Sequence, residues 1–172
     1  MEKKVEIQAP LAVANLIIEV ANKENNPVTN LKLQKVLFFL QGYYLSTFKQ
    51  RLINGEFAKW QYGPVEEDVY REFKSLGSYP LTSPSIKLTE IDGKISVLKE
   101  QVPDVIKDEL EEKIKKIIDQ KAWYLVELTH AHKSWNDYKD KIFNHNAEDY
   151  TDDEIESCFK DNAKELGINF GR

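Results

Sequence analysis

Three histidines, one cysteine and a surplus of carboxylates are the residues on which any chemistry in this chain has to rest. His130 and His132 are two positions apart, so on a helix they point about 200° away from each other. Helical zinc ligands sit at i and i+4, and His145 is too distant in sequence to complete a local set, so no metal site is expected. Cys158 falls between Ile155 and Phe159 on the apolar side of an amphipathic segment, the place of a small buried hydrophobe. Pairing it with a remote histidine is the nucleophile arrangement the composition allows. No glycine-rich phosphate loop exists: Gly77 and Gly93 stand alone and Gly63 is followed by Pro64. The residues name no reaction and call for no cofactor.

Charge is distributed unevenly. The chain has 172 residues with 24 basic and 29 acidic side chains, a formal net charge of −5. Residues 1–97 hold 12 basic and 11 acidic groups, whereas residues 136–165 hold 4 and 10, a local balance of −6. Asp149, Asp152 and Asp153 lie in that stretch. They read either as a solvated helix start, favoured by the helix dipole, or as an acidic face that steers a basic partner. Direct nucleic-acid binding is not expected, because no basic stripe is present to replace phosphate counterions.

The remaining composition describes an ordinary globular chain, 41% hydrophobic and 31% charged. One cysteine excludes an intrachain disulfide. The most apolar run, Val36 to Phe48, spans 13 residues between two lysines, and a membrane-spanning helix needs about 20. The N-terminal Met1-Glu2-Lys3-Lys4-Val5-Glu6 leads into no signal-type apolar region. A cytoplasmic protein, without membrane association, is expected.

These residues must be positioned by a mainly helical (α+β) fold. One domain over 1–172, with its core at about 8–160, is expected: a compact helical body around a buried central helix, with a small β-hairpin. Pro10 opens a helix to about Asn22 in which Val13, Ile17, Val20 and Ala21 share a face. Thr29 is a fitting N-cap for a second helix to about Lys49, apolar on nearly all sides and therefore central. Phe57 to Trp60 reads as extended. Pro64 then opens a third helix with Val65, Val69, Phe73 and Leu76 facing inward, stopped by Gly77. Asp92-Gly93 between Lys87–Ile91 and Lys94–Leu98 is a hairpin signal, with one face of the hairpin exposed. Pro103 starts a helix with Ile106, Leu110, Ile114 and Ile118 inward, another covers about Lys121 to Ala131, and Thr151 to Glu154 has capping-box spacing for the last.

Three patterns stand out. The first is Leu31-Lys32-Leu33-Gln34-Lys35-Val36-Leu37-Phe38-Phe39-Leu40-Gln41-Gly42; the second is Trp60-Gln61-Tyr62-Gly63-Pro64-Val65 followed by Val69-Tyr70 and Phe73; the third is Leu128-Thr129-His130 with Trp135. In this order and spacing they resemble the Panacea, or SocA-like, antitoxin domain family, which includes phage-associated genetic element proteins. The resemblance covers about residues 8–160. It implies a non-enzymatic antitoxin of a toxin–antitoxin or phage-defence system, whose partner is a cognate protein toxin encoded by a neighbouring gene. The alternative is a protease adaptor or mobile-element regulator acting on a host protein. Two departures are visible. Ser134 stands where members often have proline before the last tryptophan, and no separate DNA-binding module precedes the domain, so autoregulation by DNA binding is not expected.

The motif residues carry physical readings of their own. Lys32, Leu33, Gln34, Lys35, Trp60, Gly63, Pro64, Val65, Tyr70, Thr129, His130 and Trp135 are the candidate partner-binding or family-defining positions. Lys32 and Lys35 read as the solvent edge of the central helix. Gly63 supplies a conformation or approach that a side chain would block, and Pro64 fixes a helix start. Trp60 and Trp135 either anchor a partner or pack the core with their indole N–H bonded. His130 beside Thr129 reads as a cap or an internal hydrogen-bonding group.

Overall fold

A computed structural model describes residues 6–170; the expectations for the first residues, Met1 to Val5, and the end of the domain at 171–172 lie outside the described residues. Among them the fold is mainly helical, with two small antiparallel hairpins. Helix α1 (Pro10–Lys23) is followed by α2 (Asn30–Phe48), strands β1 (Ala58–Trp60) and β2 (Gly63–Val65), and α3 (Glu67–Phe73). A single 3-10 turn over Lys74–Leu76 leads on to β3 (Lys87–Ile91) and β4 (Lys94–Leu98). Helices α4 (Asp104–Ile118), α5 (Ala122–Ala131), α6 (Lys133–Asn136), α7 (Lys139–Phe143) and α8 (Asp152–Leu166) complete the chain.

Helix α2 is the axis. The Thr29 hydroxyl accepts the Lys32 amide and starts it, and every residue from Leu33 to Ser46 is buried. Helices α1, α4, α5 and α8 pack around it. Contact with α8 is close because position 42 is glycine: a Cβ there would lie 2.4 Å from the Phe159 Cβ. The apolar stripe of α4, Ile106, Leu110, Ile114 and Ile118, is buried as its spacing predicts, and the Thr151–Glu154 capping box starts α8.

Four expectations are corrected. Pro64 does not open a helix; it sits in the middle of β2 opposite Lys59, where a missing N–H is tolerated in a two-stranded ribbon. Helix α3 instead begins after Glu66, whose side chain accepts the Val69 amide. Leu76 is 44% exposed rather than inward, because α3 tightens into the 3-10 turn after Phe73 and Gly77 ends it at φ +57°. The β3–β4 ribbon is exposed on both faces, with Leu88, Ile91, Ile95, Val97 and Leu98 all in solvent. Its base is nevertheless fixed: the buried Asn15 accepts the Ser85 amide and donates to the carbonyls of Ser85 and Glu100, and Lys99 pairs with Glu19. Finally, α6 and α7 occupy a stretch that periodicity assigned to no element, since helices of 4 and 5 residues are too short to display one.

Candidate functional site: an aromatic groove over a locked hairpin

The polar residues of α2 reach out to backbone atoms of the segments packed around it. Gln34 accepts the Glu66 amide at 2.9 Å and donates to Asn30, which in turn donates to the Tyr70 carbonyl. Gln41 accepts the amides of both Leu52 and Ile53. Lys32, half-buried, donates to the Ile118 carbonyl at the end of α4. Lys35 is fully buried, contrary to the solvent-edge reading, and donates to the Pro64 carbonyl at 3.1 Å. No carboxylate among the described residues pairs with Lys35, and burial pushes its pKa down to about 7. The physical reason is placement: α2 is enclosed on all sides, so a lysine on it can only bury its stem and end on an acceptor.

The β1–β2 hairpin is locked against that lysine. Gly63 adopts φ +98°, and a Cβ there would meet the Thr129 hydroxyl at 2.7 Å and the Lys35 Cε at 2.9 Å. Both the conformation and the approach require glycine. Thr129 itself donates to the Val126 carbonyl. Trp135 is buried and its indole N–H donates to the Trp60 carbonyl at 2.9 Å, and the His130 ring stacks on it at 3.7 Å. His130 thus acts by stacking and as an internal hydrogen-bonding group toward the Gln61 backbone, not as a cap; burial lowers its pKa. The cap belongs to His132, whose Nδ1 accepts the Ser134 amide while Nε2 faces Ser157 and Asp161 of α8. Proline at 134 would remove that amide donor, so serine at this position permits the His132 link between α6 and α8. Leu33 and Val65 are core residues.

The hairpin forms one wall of a groove of about 1100 Å³. Trp60, Tyr62, Tyr70, Trp123 and Phe143 line it, together with the start of α2 and the Ala147–Asp149 loop. Trp60 packs edge-to-face on Tyr70 at 4.9 Å, and Tyr62 on Trp123 at 5.4 Å. Tyr62, Trp123 and Phe143 are 48%, 58% and 47% exposed. Single exposed apolar residues are common, but several aromatics around one concavity mark an interaction surface. Of the motif residues, Trp60 and Tyr70 face this groove, Gln34, Lys35 and Val65 form its deeper lining, and Trp135 lies behind the hairpin. The motif reading missed Trp123 and Phe143. Trp123 lies on a helix without a polar stripe, so its exposure has no periodic signal.

Comparison with known proteins now bears on these residues. The family described as antitoxin SocA-like, Panacea domain, matches residues 33–136. The chain belongs to the SocA-like Panacea antitoxin family. A curated relative, Antitoxin SocA of Caulobacter vibrioides (strain NA1000 / CB15N), is 32% identical over 120 residues, covering 70% of this chain. That match covers 64% of the relative, so this chain spans less than two thirds of that protein's length. No solved structure matches. The Panacea match contains the buried Lys35, the glycine at position 63 and the His130–Trp135 stack, the parts that lock the hairpin beneath the groove, and it also spans the β3–β4 ribbon.

The carboxylates of the C-terminal stretch are not equivalent. Asp152 is bound by the Arg51 guanidinium at 3.0 Å, Glu154 by Lys59 at 2.8 Å, and Glu156 by Lys49 and Lys160. Asp149 and Asp153 are exposed and have no ion-pair partner among the described residues. Of the residues expected to form an acidic face, Asp149 and Asp153 are unpaired among the described residues, whereas Asp152 shares Arg51 with Glu56. Cys158 is buried on α8, and burial pushes its thiol up to about 12, which leaves it no nucleophilic thiolate at neutral pH. Among the described residues no group of three or more metal-ligating side chains gathers, and no helix is long and apolar enough to cross a membrane.

Proposed function

We propose that this protein is a non-enzymatic antitoxin that binds and neutralises a protein toxin encoded by a neighbouring gene, as one cytoplasmic domain. Family membership carries the reading. The aromatic groove supports it by supplying a surface on which a toxin can dock: exposed tryptophan and tyrosine are the side chains most often found at binding hot spots. Behind them, the Lys35–Pro64 bond and the Trp135–Trp60 bond hold the hairpin in one conformation before the partner arrives. Such preorganisation lowers the ordering cost of association. The motif residues Lys35, Gly63, Thr129, His130 and Trp135 then position the surface, and Trp60 and Tyr70 form part of it.

The test is to express the adjacent open reading frame with and without this protein. Growth arrest that co-expression relieves, together with a stable complex on gel filtration, is the expected result. A neighbour that is harmless under strong expression overturns the proposal.

A further inference from the structure

We infer that the aromatic groove grips an arginine-bearing segment of the partner protein. This rests on the antitoxin reading and adds to it the chemistry of what is held.

The first ground is the rings. Tyr62, Trp123 and Phe143 present open faces and edges to a concavity that no described residue fills. A guanidinium stacks on such faces and is attracted by the ring quadrupole, more so with tryptophan than with tyrosine or phenylalanine. The second is charge. Asp149, without an ion-pair partner among the described residues, lines the groove, and exposed Glu148 and Asp153 lie near it in sequence; Glu67 also lines the groove but is shared with Arg71 at 3.8 Å. Two of the three lysines of the lining are already engaged. Lys35 is fully buried against the Pro64 carbonyl. The Lys59 side chain is 2% exposed and ends on Glu154, which leaves Lys74 as the open cation of the lining.

Lys59 provides a third ground. Its ammonium lies 3.6 Å from the centroid of the Tyr138 ring and 2.8 Å from a Glu154 oxygen. The fold thus already holds a cation between a ring and a carboxylate beside the groove, using its own chain. Tyr62, Trp123 and Asp149, all in the groove lining, offer the same two kinds of group, and no cation among the described residues is paired with Asp149. Arginine suits the open version better than lysine, because its planar fork can stack and still donate to a carboxylate. Encounter would be steered by the same charges and weakened by salt.

The probe is a blocked peptide, acetyl-Gly-Arg-Leu-Arg-Gly-amide, with a twin in which citrulline, uncharged and of the same shape, replaces arginine. Both are titrated into the full-length protein while the Trp123 indole resonance is followed. Saturable binding of the arginine peptide is expected, at least tenfold tighter than the citrulline twin. Trp123→Ala and Asp149→Asn, both at exposed positions, should each weaken it severalfold with unchanged melting. Equal affinity for the two peptides, or no saturable shift of Trp123 up to about 10 mM, overturns the inference. Growth protection separates the two levels. If wild type and the Trp123→Ala/Asp149→Asn double variant protect cells equally, the groove assignment fails and the antitoxin reading stands. If wild type gives no protection, the antitoxin reading fails, and the peptide titration alone decides the groove.

Discussion

Lys35→Met removes an amine from the centre of the protein while keeping an unbranched chain of similar length. Burial holds the lysine near 7 in the folded protein, against 10.5 ordinarily. Between those values the unfolded chain binds one more proton than the folded one, so wild-type stability rises with pH across this window. Below pH 7 both states are protonated and the contribution is flat. Working the two pKa values through the linkage relation, this one group changes stability by about 2.7 kcal/mol between pH 6 and pH 9. Methionine does not titrate, and it loses the bond to the Pro64 carbonyl, worth about 1 kcal/mol. Urea melts of both proteins at half-unit steps therefore give a stability difference that moves by about 2.7 kcal/mol in favour of wild type as pH rises. His132, lowered by burial, and Cys158, raised by it, cancel in the difference because both proteins contain them in the same surroundings; His130, lowered by burial and also by the Lys35 charge, does not cancel, and its own NMR titration in each protein is subtracted. Parallel profiles would show that Lys35 titrates in the folded protein as it does in the unfolded chain, and the account of a lysine without a counter-charge would be wrong.

Gly42→Ala should cost about 1–3 kcal/mol by overpacking, since the new methyl meets the Phe159 Cβ at 2.4 Å; an unchanged denaturation midpoint would contradict the close α2–α8 contact. Leu37→Asp and Leu40→Asp place a carboxylate where exposure is 0%, a cost of several kcal/mol against a typical stability of about 5–15, and circular dichroism should report largely unfolded protein at 37 °C. Asn15→Ala should raise amide exchange across residues 87–98 and lower global stability by about 1–3 kcal/mol, because three hydrogen bonds at the ribbon base vanish. Exchange that stays at the wild-type rate would show that the ribbon does not depend on this clamp.

The long elements were legible because their signals are local and redundant. Thr29, the all-round apolar run of α2, the fourfold spacing in α4 and the Thr151–Glu154 box each dictate a structure from neighbouring residues alone. Lys35 was not legible. Its burial depends on strand β2, which begins at Gly63, 28 residues later, covering it, and no periodicity records that. Pro64 misled for a related reason: proline suits a helix start, yet it equally suits a ribbon strand whose partner needs no donor there. Of the site, Trp60 and Tyr70 were found through motif residues. Trp123 and Phe143 come from α5 and α7, and only tertiary packing brings them beside the hairpin. The acidic stretch was read correctly as composition, but the pairing of Asp152 with Arg51 spans about a hundred residues and is invisible to a charge count.

The clamp at Asn15 has a consequence for variation. One buried amide gathers the backbone at Ser85 and Glu100, so the chain leaves and re-enters the body at a single fixed place. The strands between those residues are exposed or half-exposed, with Lys99 at their end tied to Glu19, and doubling the ribbon's length adds only about 0.6 kcal/mol of closure entropy. The ribbon is thus a cassette: strands, tips or whole modules can be exchanged there while the helices remain unaware of the change, and a graft point for tags or new recognition loops is built into the first helix.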